Sequence, residues 1–187
     1  MKVIGINGAP RVGKDTLAKE LIEQWMDISD SHIGYIVKLK DSLLRSINLE
    51  YLLGVNFLVT PYDEVKDQEP KLRDLMIAFS EKVIKPVMGK SFLVDKLIEQ
   101  IAPIESLLDN KEAKVLVVIP DLGFIIELEN LLSKFKDDFC SVNLRRDGYS
   151  YPKNYTYMLH CELEFNNLEL SDIPNTTKTI LNHIKGN

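Results

Sequence analysis

Gly8-Ala9-Pro10-Arg11-Val12-Gly13-Lys14 has the spacing G-x-x-x-x-G-K, and its flanks constrain how it folds. Before it, Lys2-Val3-Ile4-Gly5-Ile6 is a short, mostly β-branched run. After it, Leu17, Leu21, Ile22 and Trp25 recur at helical intervals. The first 27 residues therefore read as strand, tight loop and helix. Glycines in such a loop let backbone N–H groups wrap a phosphate, and the helix N-terminus adds partial positive charge. A lysine placed as Lys14 is can reach the β- and γ-phosphates of a nucleoside triphosphate. The next position is Asp15 rather than Ser or Thr, with Thr16 following. A carboxylate and a hydroxyl each suit Mg²⁺, a hard cation that prefers oxygen. The candidate cofactor contacts are thus Gly8, Ala9, Arg11, Val12, Gly13, Lys14, Asp15 and Thr16. The alternative is a glycine turn feeding a helix, with Asp15 and Thr16 as ordinary first-turn residues.

The rest of the chain supplies partners for that unit. At 187 residues the length suits one domain with one core. Val115-Leu116-Val117-Val118-Ile119 is a continuous apolar run, as expected of a strand buried on both faces of a parallel sheet, and Pro120 should end it. Further strand candidates are Tyr35-Ile36-Val37, Cys140-Ser141-Val142-Asn143-Leu144 and Leu168 to Ile173. Helical patterns follow the candidate cap Asp41 (Leu43, Leu44, Ile47), span 71–101 with a split at Pro86 and Gly89, and run from Phe124 to Phe135 and from Thr176 to Ile184. Pro103 should interrupt the stretch after 101. Residues 60–70 read as a loop and 145–158 as a long polar and aromatic flap. Alternating strands and helices point to an open parallel α/β sheet.

Charge and cysteine content narrow the partners. Twenty-three basic and 28 acidic side chains give a net charge of −5. That disfavours non-specific binding to nucleic acid or an anionic membrane, but leaves room for a cationic cleft built from a few Lys and Arg. Cys140 and Cys161 form neither a disulfide framework nor a zinc spacing, which suits a reducing cytosol. No apolar run reaches the roughly 20 residues of a membrane span, and residues 1–6 do not make a signal peptide. A cytoplasmic location is expected.

Outside the loop, Asp121 directly follows the 115–119 run and should face the same crevice, since ligands of open α/β sheets sit beyond the strands' carboxyl ends. Its alternative role is the N-cap of the 124–135 helix. Arg145 and Arg146 open the flap, where guanidinium forks suit transferring phosphates; the alternative is a solvated face. Arg73 is a candidate phosphate clamp, and Lys38 and Asp41 are candidate substrate contacts. His160 and the pattern Phe79, Val83, Val87 fit packing or surface roles better than chemistry.

Assembled, these residues make the chain resemble the bacteriophage-type deoxynucleoside monophosphate kinases of the P-loop superfamily. The phosphate loop Gly8 to Thr16, as G-x-x-R-x-G-K-D-T, carries most of the resemblance. Arg73-Asp74-Leu75-Met76-Ile77-Ala78-Phe79-Ser80-Glu81 is similar to a family helix that begins with arginine, and Asp121-Leu122-Gly123-Phe124-Ile125-Ile126-Glu127 to D-V-R-F-x-N-E. The tail from His160-Cys161-Glu162 to Ile173-Pro174-Asn175 looks like a degenerate H-x-S-E and closing strand. Gly123 stands where the pattern has arginine, and Ile126 where it has asparagine.

The resemblance implies a three-layer α/β P-loop fold spanning 1–187 as one domain. It would have about five parallel strands, helices on both faces, an acceptor-binding region near 40–110 and a lid at about 145–158. It implies phosphoryl transfer from ATP to a (deoxy)nucleoside monophosphate with Mg²⁺. Lys14, Arg11, Asp121, Arg145 and Arg146 would serve catalysis, and Asp15, Thr16 and Asp121 the metal. Arg73, Asp121, Lys38 and Asp41 would serve the acceptor. The setting would be the cytoplasm, that of the host if the chain is phage-encoded, and a homodimer is compatible with it. Alternatives are a P-loop kinase for another metabolite, of the dephospho-coenzyme A or phosphomevalonate type, and a nucleotide-binding protein without turnover.

Overall fold

The computed structural model describes residues 1–46, 70–106, 112–151 and 160–186. In chain order the first half holds β1 (Lys2–Gly8), α1 (Lys14–Met26), β2 (His32–Ile36), α2 (Leu39–Ser46), α3 (Pro70–Phe79), α4 (Lys85–Met88) and α5 (Phe92–Glu105). The second half holds β3 (Lys114–Ile119), α6 (Ile125–Phe135), β4 (Phe139–Leu144), β5 (Leu163–Phe165) and α7 (Ile173–Gly186). The strands form one five-stranded sheet in the order β2-β3-β1-β4-β5, and every pairing is parallel.

Alternation along the central strands divides the core into two layers. Val3, Val115, Val117 and Ile119 face α2, α5 and α6, and pack with Leu43, Leu97, Ile101 and Leu131. Ile4, Ile6, Leu116, Val118 and Val142 face the opposite way, onto Leu17, Leu21 and Trp25 of α1 and Ile180 and Leu181 of α7. Both faces of β3 are therefore covered, as its unbroken apolar run requires. Leu21 is fully buried in the second layer, where truncation to alanine costs about 2–5 kcal/mol.

Three sequence expectations need correction. The last strand is not Leu168 to Ile173: β5 is Leu163–Phe165, residues Leu170–Asp172 form a 3-10 turn, and α7 begins at Ile173. Leu168 and Ile173 are apolar because they plug the second layer from a loop and a helix start. Pro86 does not split its helix. A π-helical turn, Ser80–Ile84, precedes α4, so the proline falls in a first turn where its missing N–H costs little; the break comes at Gly89. Pro103 lies inside α5 rather than ending it. Ile47 and the loop 60–70, apart from Pro70, lie outside the described residues, as does the flap beyond Tyr151 up to 158.

Candidate active site

The turn from β1 into α1 sits at the carboxyl end of the sheet's central strand. Gly8 leaves the strand where a Cβ would stand 2.9 Å from the Leu144 carbonyl oxygen and 2.8 Å from Val12 Cγ1. Gly13 enters the helix at φ 107°, a left-handed conformation that costs an L side chain roughly 1–2 kcal/mol. Between them Arg11, exposed, also has positive φ, 65°. Val12 is fully buried and anchors the loop in the second core layer. The Lys14 ammonium donates to the carbonyls of Gly8 at 2.6 Å and Ala9 at 2.8 Å, so its charge lies over the loop's concave side.

Asp15 and Thr16 are exposed on the first turn of α1. Asp15 Oδ1 pairs with Lys38 Nζ at 2.8 Å, which joins the loop to the segment between β2 and α2. Asp41 stands in the first turn of α2, inside the helix rather than capping it, because α2 starts two residues earlier at Leu39.

Asp121 follows β3 but does not cap the helix that comes after it. Its two carboxylate oxygens accept the N–H groups of Leu39 and Lys40, each at 2.9 Å, and so cap α2. Burial pushes its carboxyl above the ordinary range, against the pull of those two hydrogen bonds. The start of α6 is served by Glu127, which accepts from the N–H groups of Gly123 and Phe124, both at 2.9 Å. Burial raises the Glu127 carboxyl to about 7, helped by the nearby charge of Asp121.

A cleft of about 660 Å³ opens beside the loop, lined among others by Ala9, Arg145, Arg146, Tyr149 and Asn167. The two arginines thus share a cleft with Ala9 of the glycine loop. Arg145 pairs with Glu164 at 3.4 Å and Arg146 with Glu169 at 3.3 Å. Arg146 also lies over the Tyr149 ring, 5.1 Å from its centroid. Residues 145–151 of the expected lid form neither helix nor strand, and the Arg145 backbone is held to Phe165 and Leu168. Arg73 is placed in α3, apart in sequence from these elements; its side chain lies outside the described residues.

Sequence reasoning missed a polar chain across the strand ends. Asn7 Nδ2 donates to the Leu122 carbonyl at 2.8 Å, and its Oδ1 lies 2.8 Å from the Tyr151 hydroxyl. The same hydroxyl lies 3.2 Å from Asn143 Oδ1. A phenol has one proton and cannot donate to both. Asn143 Nδ2 is buried with no hydrogen-bond partner among the described residues. Turning that amide over would let Nδ2 donate to Tyr151 and leave the phenol proton for Asn7. The signal was two asparagines at the ends of otherwise apolar strands.

No family model matches the chain, and no curated protein matches its sequence. Solved structures do. The chain is similar to a cysteine-to-alanine mutant of the Mycobacterium tuberculosis APS kinase CysC, with TM-score 0.51 and 14% identity over 98% of this chain and 96% of the other. It is also similar to that kinase in complex with AMPPNP and APS, with TM-score 0.55 and 11% identity over 98% and 97%. At such identities the likeness speaks for the fold. With the parallel five-stranded sheet and the glycine loop at its centre, the chain has the three-layer α/β fold of P-loop kinases.

Proposed function

We propose that the protein is an ATP-dependent kinase that transfers a phosphoryl group to a (deoxy)nucleoside monophosphate. The observation that carries this reading is the Lys14 ammonium, held over the concave side of the loop by the Gly8 and Ala9 carbonyls. It can exchange those acceptors for phosphate oxygens without moving the backbone. Loop N–H groups and the α1 N-terminus would hold the donor phosphates. Arg145 and Arg146 would leave their surface carboxylates for the transferring group, where desolvation strengthens the attraction. Arg11, exposed on the loop, would add charge at the same place. Asp15 and Thr16 carry exposed oxygens that would hold Mg²⁺, and the ion would supply charge neutralisation at the donor phosphates. Asp121 already accepts two N–H groups, so it would reach the metal with its remaining lone pairs. Arg73, Lys38 and Asp41 would serve the acceptor. An acceptor phosphate is already anionic, so no general base is required.

A second reading keeps the fold and changes the acceptor. Gly123 stands where the resembling family has arginine, and its buried N–H is committed to Glu127. The structural likeness is to an APS kinase, whose complex holds AMPPNP and APS. A coupled ADP-release assay across nucleoside monophosphates, adenosine 5′-phosphosulfate and dephospho-coenzyme A separates these readings. Turnover on a nucleoside monophosphate is expected. Turnover only on another acceptor would move the assignment to the second reading, and nucleotide binding without turnover would overturn both.

A further inference from the structure

At the end of the sheet remote from the phosphate loop, three chain segments bring different ligand types together. Cys140 is the second residue of β4, Glu162 immediately precedes β5, and His183 lies in the last turns of α7. One ligand atom from each lies within 4.8 Å of the other two. The His183 Nε2 to Glu162 Oε1 distance is 2.6 Å. The Glu162 N–H donates to Ser141 Oγ at 2.9 Å, which fixes the backbone beside the carboxylate. Cys140 pairs with Ile4 in the sheet and Leu144 with Gly8, so the cluster lies about 13 Å along the strands from the loop at roughly 3.3 Å per residue.

From this juxtaposition we infer that Cys140, Glu162 and His183 form a Zn²⁺-binding site that ties the edge of the sheet to the C-terminal helix. A thiolate, an imidazole and a carboxylate make a donor set suited to zinc, and water would complete the tetrahedron. With zinc bond lengths of roughly 2.0–2.3 Å, ligand atoms of a tetrahedral site stand about 3.6 Å apart. The widest pair has to close by at most about 1 Å, and Glu162 and His183 have to separate by about 1 Å. Those two side chains are 42% and 32% exposed, so they have room to turn. Cys140 is buried and provides the fixed point. The metal enters from solvent between Glu162 and His183, and the Cys140 thiol proton is released to solvent as the sulfur–metal bond forms.

This site does not depend on the proposed kinase activity, and neither does its test. The intact protein is titrated with Co²⁺, whose thiolate complexes show a near-ultraviolet charge-transfer band, and Zn²⁺ affinity is then measured by competition. The expected result is a saturable one-to-one band displaced by Zn²⁺. His183→Ala and Glu162→Gln, both at partly exposed positions, should each weaken affinity at least about tenfold. Cys140→Ser should abolish the band, and Cys161→Ser should leave it. The inference is overturned by absence of a band at millimolar Co²⁺, by a band lost with Cys161→Ser instead, or by unchanged affinity in folded His183 and Glu162 variants. Without a band, or with affinity unchanged in those variants, Glu162 and His183 are a hydrogen-bonded surface pair above a buried thiol.

Discussion

The Lys14 ammonium donates to the carbonyl oxygen of Gly8 at 2.6 Å, closing its own loop. On the proposed reading this cation serves chemistry more than packing. Lys14→Ala should therefore lower kcat by roughly 10²–10³, as loss of one desolvated electrostatic donor does. Thermal stability should stay near that of the wild type. Steady-state kinetics alongside a melting curve checks both, and near-wild-type turnover in a folded variant would contradict the donor-site assignment.

Asp121 joins the end of β3 to the start of α2 through the N–H groups of Leu39 and Lys40. Asp121→Ala removes a cap and should cost about 0.5–2 kcal/mol of stability. Asp121→Asn retains one acceptor and should lose less. If Asp121 also serves the metal, both variants lose activity beyond what their stability explains, which a Mg²⁺ titration of kcat would reveal. Full activity of a folded Asp121→Asn protein would leave the residue a cap alone.

Glu127 makes stability depend on pH. Its carboxyl ordinarily titrates near 4.5 and is raised by burial to about 7 in the fold. Between those values the folded protein holds a proton that the unfolded chain has released. Stability therefore falls as pH rises through that window, by about 3 kcal/mol in all, and levels off above it. Glu127→Gln should flatten that slope in urea denaturation between pH 5 and 8. Equal slopes in the two proteins would show that Glu127 does not titrate there.

Gly8 marks where backbone crowding limits the loop. A methyl at that position meets the Leu144 carbonyl of the neighbouring strand at 2.9 Å, and a ladder carbonyl has little freedom to retreat. Gly8→Ala should cost about 1–3 kcal/mol and weaken binding of a non-hydrolysable ATP analogue together with it. Calorimetry of binding and unfolding on the same variant checks this. Unchanged values for both would mean that the loop shifts without consequence.

What the sequence reveals of this fold follows physical rules. The run Val115–Ile119 is legible because a strand covered on both faces needs no polar alternation. The loop before α1 is legible because its glycines and lysine sit at a strand-to-helix junction. β5 is hidden because it is three residues long, with Leu163 and Phe165 flanking Glu164, an outward carboxylate paired with Arg145. The apolar residues of the 168–173 stretch looked more strand-like, yet Leu168 and Ile173 fill the core from a loop and a helix start. The partner of Asp121 was illegible, since the capped N–H groups lie some 80 residues earlier in the chain. Only the folded sheet sets β2 beside β3 and so brings Leu39 to Asp121.

Transfer of the γ-phosphate itself tests the kinase assignment most directly. Protein, Mg²⁺ and ATP labelled at the γ-position are incubated with each nucleoside monophosphate, and the labelled products are separated. Label in a nucleoside diphosphate is the expected result, with roughly 10²–10³-fold less in Lys14→Ala. Label that stays on ATP, or appears only as inorganic phosphate whatever the acceptor, would contradict it.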